Sequence, residues 1–149
     1  MMVLDHQSQG AAHWSREQYE NLFAGGQQPS ERFAWIVEDE HGAQPANAAG
    51  AELAILGFLV AHRIDPEWEL ENIVVAETAR RSGAGTALLA QLVACARAEG
   101  GREMFLEVRE SNRSARAFYL KAGFEETGLR KSYYLNPNED AILYRLKLY

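Results

Sequence analysis

A strand, a glycine-rich turn, a helix and a second strand follow one another between residues 71 and 109. The first strand lies in "WELENIVVAE" (68–77), the helix begins after Gly83 and stops at Gly100, and the second strand is "EMFLEVR" (103–109). Strands joined in this way run parallel, and the crossover carries its helix on one face of the sheet. This unit therefore predicts a mixed α/β sheet with helices packed against it.

The rest of the chain predicts antiparallel strands and two further helices. The apolar runs "RFAWIVED" (32–39) and "LAILGFLVAHRI" (53–64) precede the crossover, and the tail "GLRKSYYLNPNEDAILYRLKL" predicts two strands joined by the turn "NPNED". One helix begins with the capping box of Ser15 and Gln18, and another covers "SNRSARAFYLKAGF". No linker or repeat interrupts this order, so we predict one domain over residues 1–149.

Composition excludes several classes of function. The chain has 149 residues, 47% of them apolar, and a formal charge of −6 with a pI near 5.2. An acidic surface argues against binding nucleic acid, and no apolar run is long enough to span a membrane. The start of the chain lacks the features of a signal peptide, so we predict a cytoplasmic protein. The lone Cys95 is expected to fill the core rather than to act as a nucleophile.

The turn from Arg80 to Gly85 is a candidate anion site. The first N–H groups of a helix have no partners within it, the helix dipole favours negative charge, and the two arginines, Arg80 and Arg81, add charge-assisted hydrogen bonds. The alternative is a glycine-rich connection with solvated arginines. The spacing R-x-x-G-x-G differs from the dinucleotide and P-loop fingerprints, so neither of those folds is indicated.

Three stretches together carry a family resemblance. "ENIVVAETARRSGAGTALL", "FLEVRESNRSARAFYLKAGF" and "YYLNPNEDAILYRLKL" resemble the GNAT acetyltransferases, and within them the ribosomal-protein-alanine N-acetyltransferases of the RimI type. The resemblance covers about residues 14–149 and implies a central mixed sheet with helices on both faces. The family begins with a strand and a helix that this sequence has little room for. Either both are shortened, with residues 1–13 as an irregular lead-in, or the sequence as given starts late.

The resemblance implies that acetyl-CoA is the cosubstrate and that its pyrophosphate binds the glycine-rich turn. The strand before the turn is then expected to carry a bulge and to part from the next parallel strand, which frees its backbone for the pantetheine arm. The asparagine that follows the next strand would touch the cosubstrate. The implied binding residues are Ile73, Val74, Val75, Arg80, Arg81, Ser82, Gly83, Ala84, Gly85, Thr86 and Asn112.

The resemblance also implies an acid and a base. Acetyl transfer needs a neutral amine, a polarised thioester carbonyl and a protonated leaving thiolate. In RimI-type enzymes the glutamate of "LEVR" is the base and the tyrosine of "AFYLKAGF" is the acid, which are Glu107 and Tyr119 here. A backbone N–H of Val74 or Val75 would polarise the carbonyl. Without the family, Glu107 would be assigned as a surface or salt-bridged glutamate, and Tyr119 would be assigned to the core.

Two further glutamates complicate the base assignment. Glu69 occupies about the place where many GNAT enzymes keep their base, and Glu71 stands where RimI-type proteins more often have an apolar or aromatic residue. Glu71 could select a positively charged acceptor, or it could be only an outward polar position. The four histidines have no metal-ligand spacing, so we expect no metal.

Three functions follow from these observations. The first is transfer of an acetyl group to the N-terminal alanine of a ribosomal protein. The second is the same chemistry on a small-molecule amine or a protein lysine. The third is a non-catalytic acyl-CoA sensor, which the presence of both Glu107 and Tyr119 disfavours.

Overall fold

The computed structural model describes residues 1–7, 15–23, 31–38 and 54–149. Its elements are, in chain order, α1 (Met2–Gln7), α2 (Arg16–Phe23), β1 (Glu31–Glu38), β2 (Ile55–Ile64), β3 (Glu67–Val75), α3 (Ala84–Ala98), β4 (Glu103–Arg109), α4 (Arg113–Lys121), β5 (Glu125–Leu135) and β6 (Asn138–Lys147). A short 3-10 turn, Glu77–Ala79, leads from β3 into the glycine-rich turn. In the part of the chain so described, no helix has the length and apolar character needed to cross a bilayer.

The six strands form one mixed sheet in the order β1-β2-β3-β4-β6-β5. Neighbouring strands pair antiparallel except β3 and β4, which are the two strands joined by α3. The crossover therefore sits at the centre of the sheet, with one hairpin on each side. This arrangement confirms the mixed α/β sheet expected from the sequence.

Helices cover both faces of the sheet. Leu92 of α3 and Tyr119 of α4 belong to the main core, where they meet Trp68 of β3. On the opposite face, Tyr19 of α2 packs in a second, smaller core that includes Phe58. We call these the α3 face and the α2 face. The two-sided arrangement that the family resemblance implies is confirmed.

Two irregularities open the middle of the sheet. β3 and β4 pair only from Glu67 to Glu69 on β3, beyond which no pairing joins them. Just after that point the register of β3 against β2 shifts, because Val60 lies opposite Asn72 while Ala61 lies opposite Leu70. The extra residue is Glu71, which makes the position a β-bulge. The expected bulge and separation of strands are both present.

The N-terminal region differs in part from the expectation. Residues 2–7 form α1, so an irregular lead-in is wrong for that stretch, while residues 8–13 lie outside the described residues. The helix is held by contacts distant in sequence, because the buried Asp5 accepts a hydrogen bond from Asn72 at 3.1 Å. Local composition could not reveal such a contact. The predicted capping box is confirmed: Ser15 N donates to Gln18 Oε1 at 2.8 Å and Gln18 N donates to Ser15 Oγ at 3.3 Å.

Candidate active site

A cleft of about 990 Å³ lies where β3 and β4 separate. Its walls include the later parts of both strands, the starts of α3 and α4, and part of β5. The predicted site residues that line it are Ile73, Val74, Val75, Arg80, Arg81, Gly83, Gly85, Thr86, Glu107, Asn112 and Tyr119. Ser82 and Ala84 are not among the lining residues. The structure thus brings nearly all of the predicted site into one cavity.

The glycine-rich turn leaves the start of α3 open. Gly83 is the residue before the helix, with a φ of 94° in the left-handed region, and offers no side-chain cap. The Ser82 hydroxyl donates to the Ala79 carbonyl at 2.6 Å and accepts a long hydrogen bond from Ala84 N at 3.4 Å, which explains why Ser82 holds the turn without lining the cleft. The next N–H groups of the first helical turn, those of Gly85 and Thr86, therefore remain available to an anion, beside Arg80 and Arg81.

The backbone of β3 has a free edge in the cleft. Ala76 N donates to the Leu56 carbonyl at 2.7 Å, so alternate residues going back along the strand, including Val74, bond to β2. Ile73 and Val75 therefore turn their N–H and C=O groups toward the gap left by β4. Of the two predicted polarising N–H groups, Val75 has the suitable direction and Val74 does not.

Asn112 caps a helix and also lines the cleft. It is the residue before α4, and its side-chain oxygen accepts a hydrogen bond from Ala115 N at 3.1 Å. This contact is an ordinary helix cap. The amide nitrogen of the same side chain is left to face a ligand.

Glu107 lies on the α2 face with its carboxylate in the cleft. Its neighbours Leu106 and Val108 are buried in the main core, so the alternation of the strand turns Glu107 the other way. Arg130 of β5 binds the carboxylate at 2.7 Å, and hydrogen bonding to Glu107 raises the pKa of Tyr133. The Glu107 side chain is 19% exposed and that of Arg130 is 54% exposed. Glu107 is thus salt-bridged and in the cleft at once.

Tyr119 approaches the same cleft from the α3 face. Only 6% of the residue is exposed, and its ring packs against Phe118, Phe124 and Tyr144. Burial, with a smaller contribution from Tyr134, raises the pKa of Tyr119, so the hydroxyl is protonated at neutral pH. Core packing and contact with the cleft are therefore combined in one residue. The predicted base, Glu107, and the predicted acid, Tyr119, reach the gap from opposite faces of the sheet.

Charged side chains cluster on the α2 face beside the bulge. Arg32 of β1 binds both oxygens of Glu71, at 2.9 Å to one and 3.1 Å to the other. Burial, and next the charge of Glu71, raise the pKa of Glu69. Since Glu71 is neutralised by Arg32, it is poorly placed to select a cationic acceptor. Glu69 is the carboxylate that remains for the cleft.

One group among the described residues has the spacing of metal ligands. Atoms of His62, Glu69 and Glu71 lie within 4.8 Å of one another. Both oxygens of Glu71 already contact Arg32, so the group is an ion-pair network in this structure. No spacing in the sequence indicates this group, because the pairing of β2 with β3 brings its members together across the sheet.

Several cleft residues escaped prediction. Tyr133 and Tyr134 line the cleft, and burial raises the pKa of Tyr134 to about 12. The Arg109 guanidinium lies 4.0 Å from the centre of the Tyr134 ring. Phe118 packs against the core and also lines the cleft. The doubled tyrosine of "SYYL" was a visible signal, but its position depends on an irregular register in β5 that no local pattern predicts.

The cleft has ends of opposite charge. Arg80 and Arg81 stand with the open start of α3 at one end, which we call the cofactor end. Glu69 and Glu107 stand at the other, which we call the acceptor end. Tyr119 and the free edge of β3 lie along the walls between them. Such a cavity suits an anionic ligand at one end and a cationic one at the other.

Comparison with known proteins agrees with this geometry. Residues 6–124 match the acetyltransferase (GNAT) family. A ribosomal protein bS18-alanine N-acetyltransferase of Haemophilus influenzae is 40% identical over 84 residues, covering 56% of this chain. That alignment spans 57% of the relative, little more than half its length.

Two solved structures are also similar. The ribosomal-protein-S18-alanine N-acetyltransferase from Escherichia coli superposes with a TM-score of 0.73 at 26% identity, covering 99% of this chain and 84% of that one. An acetyltransferase from Bacillus anthracis, solved in complex with acetyl coenzyme A, has a TM-score of 0.58 at 32% identity and covers 62% of this chain and 56% of that one. With its family match over most of its length and the split sheet described above, the chain belongs to the acetyltransferase (GNAT) family.

Proposed function

We propose that this chain transfers the acetyl group of acetyl-CoA to the N-terminal alanine of a ribosomal protein. The observation that carries the proposal is the opposite charge of the two ends of the cleft, with a buried protonated tyrosine between them. The names of the H. influenzae and E. coli relatives support the choice of acceptor. A cytoplasmic location stays a prediction, and it suits such an acceptor.

The cofactor end fits the pyrophosphate of acetyl-CoA. A Cβ built on Gly83 would meet no atom within 4 Å, so the space beside the turn is open to a ligand. The N–H groups of Ala84, Gly85 and Thr86 and the two arginines would bind the phosphates. The pantetheine arm would then run along the free edge of β3 at Ile73 and Val75. Ser82 supports this site by shaping the turn.

The reaction proceeds by direct attack. Glu107 takes a proton from the acceptor ammonium, and the amine nitrogen then bonds to the thioester carbonyl carbon. The Val75 N–H stabilises the oxygen as it gains charge. When the carbon–sulfur bond breaks, Tyr119 gives its proton to the leaving sulfur, and the second proton that the nitrogen loses on becoming an amide restores the tyrosine through solvent. For Glu107 to act, Arg130 must release it, and the exposure of Arg130 allows the guanidinium to swing into solvent.

A second assignment of the base rests on a specific observation. Burial raises the pKa of Glu69, whereas Arg130 holds Glu107 in an ion pair. A carboxylate with a raised pKa is the stronger base, so Glu69 competes for the proton. Both residues line the cleft, so conservative variants of each can separate their roles.

A peptide panel tests the proposed function. The protein is incubated with acetyl-CoA and peptides that begin with alanine in a ribosomal-protein sequence, and acetylation is located by mass spectrometry. Control peptides carry a blocked N-terminus and an internal lysine, and polyamines represent small acceptors. We expect acetylation at the free alanine N-terminus. Acetylation confined to lysine or polyamine would refute the acceptor, and CoA binding without any transfer would indicate a sensor.

A further inference from the structure

His62 lies directly behind the acceptor end of the cleft. It stands opposite Glu69 across the β2–β3 pairing, and because its neighbour Ala61 belongs to the main core, His62 points to the α2 face. Its Nε2 atom is buried and has no hydrogen-bond partner among the residues that the structure describes. Burying a ring nitrogen without a hydrogen-bond partner costs free energy of folding, so a histidine at this position calls for a physical reason.

The bulge at Glu71 concentrates negative charge around His62. It leaves Glu69 and Glu71 on the same face, with atoms of His62, Glu69 and Glu71 within 4.8 Å of one another. Arg32 binds Glu71, and within the described parts of the chain no arginine or lysine forms a comparable ion pair with Glu69. The groups that interact electrostatically with Glu69 lie on five strands. They are Arg32, His62, Glu71, Glu107 and Tyr133.

We propose that His62 is a positioning residue that acts through Glu69. A small rotation of the Glu69 side chain would bring its carboxylate to the imidazole, and the imidazolium charge would offset the neighbouring carboxylates. Glu69 would then stay ionised at the cleft wall, where it receives the ammonium group of the acceptor before Glu107 removes the proton. This role rests on the proposed function, because it requires an amine acceptor.

The electrostatics have the sign that this role requires. Burial and then Glu71 raise the pKa of Glu69, and His62 opposes them by lowering it. If His62 is replaced by an uncharged residue, this lowering is lost and the pKa of Glu69 rises further. The ionised fraction of Glu69 at a given pH then falls, so the acid limb of the pH–rate profile moves to higher pH.

The test compares His62→Gln in two backgrounds. Glutamine keeps a donor of similar size but carries no charge, so the fold is expected to survive. In the wild-type background we expect kcat/KM to fall about tenfold, mainly through the acceptor KM, as is typical for residues that interact directly. In the Glu69→Gln background the same change should have no further effect. The matched control is Arg63→Gln, the next residue on β2, which binds Glu99 instead.

A direct titration makes the test independent of turnover. The Glu69 carboxyl carbon is followed by NMR in the wild type and in His62→Gln, with its signal assigned by its loss in Glu69→Gln. We expect the Glu69 pKa to be higher in His62→Gln and unchanged in Arg63→Gln. Equal losses of activity in both backgrounds, or an unchanged Glu69 titration, would overturn the proposal. A wild type without transfer to any amine would count against the proposed function instead, while the titration would still judge the link between His62 and Glu69.

Discussion

The two ends of the cleft are built in different ways. The cofactor end comes from one continuous stretch, residues 73–86, and uses backbone groups as much as side chains. The acceptor end is assembled from side chains on five strands. These side chains include Arg32, Glu69 and Arg130, and ion pairs hold them in place. Local backbone geometry therefore recognises the cosubstrate, while contacts distant in sequence shape the site for the acceptor. Mutations at the cofactor end should therefore affect mainly the cosubstrate, and mutations at the acceptor end should affect mainly the acceptor.

The largest effect is expected where the two ends meet. Tyr119→Phe removes only the hydroxyl, so packing and affinity for both substrates should be retained while kcat falls about 10²–10⁴-fold, the usual range for general acid catalysis. Single-turnover kinetics with calorimetry of CoA binding would measure both quantities. The matched control is Tyr144→Phe, another buried tyrosine of the main core that does not line the cleft. Full activity in Tyr119→Phe would return the residue to a purely structural role.

The next effect separates the two glutamates of the acceptor end. Glu107→Gln should lower kcat about 100-fold near neutral pH, with partial recovery as rising pH deprotonates the amine in solution. Glu69→Gln should act mainly on the acceptor KM. Since the pKa of Glu69 is raised, Glu69→Gln should have little effect at pH values below that pKa, where the wild-type carboxyl is already neutral, and its full effect above it. If Glu69→Gln abolishes turnover and Glu107→Gln does not, the base is on β3.

A smaller effect is expected at the cofactor end. Gly83→Ala places a methyl group beside the open start of α3 and should weaken CoA binding about tenfold while acceptor KM is unchanged. Gly100→Ala is the matched control, because Gly100 also has a positive φ, of 77°, and open space around a built Cβ, yet lies outside the cleft. Both variants carry the same backbone strain. Equal CoA affinities in the two, measured by calorimetry, would mean that the turn does not bind the pyrophosphate.

The smallest effect concerns the ion pair beside the bulge. Arg32→Gln leaves Glu71 without its bidentate partner, and Glu71→Gln leaves Arg32 without the carboxylate that it binds. Because Arg32 is 37% exposed, the loss of stability should be no more than about 1 kcal/mol, seen as a modest fall in Tm. We expect the acceptor KM to change two- to threefold in each variant, roughly the effect of one partly exposed charge. A lower kcat in either variant would indicate that the Arg32–Glu71 ion pair contributes to the chemical step.

The division between the ends also explains what the sequence could predict. The Arg80–Gly85 turn, the bounds of β4 and the cap at Asn112 follow from local rules of periodicity and capping. The positions of Glu107 and Tyr119 in one cleft came from the family resemblance, and local patterns alone would have left them as surface and core residues. The partner of Glu107, which is Arg130, depends on strand register.

Other features could not be predicted for the same reason. Helix α1 depends on Asp5 reaching Asn72, 67 positions along the chain. The cluster around His62 depends on where the β2–β3 register shifts, and the tyrosines of β5 reach the cleft through a second irregularity. Each is a contact between strands or across the sheet. Patterns within one segment specify which element forms, but not which partner it meets.

The bulge at Glu71 changes the phase of β3. Before it, Trp68 and Leu70 face the main core and Glu69 faces the other way; after it, the odd-numbered Ile73 and Val75 pack on the core side. With one inserted residue, a single strand presents a carboxylate to one ligand and, a few residues later, unpaired backbone N–H and C=O groups to another. Deleting Glu71 would restore regular alternation with Ile73 and Val75 still on the core side, but it would remove the local bend that a bulge gives the strand just where β3 parts from β4.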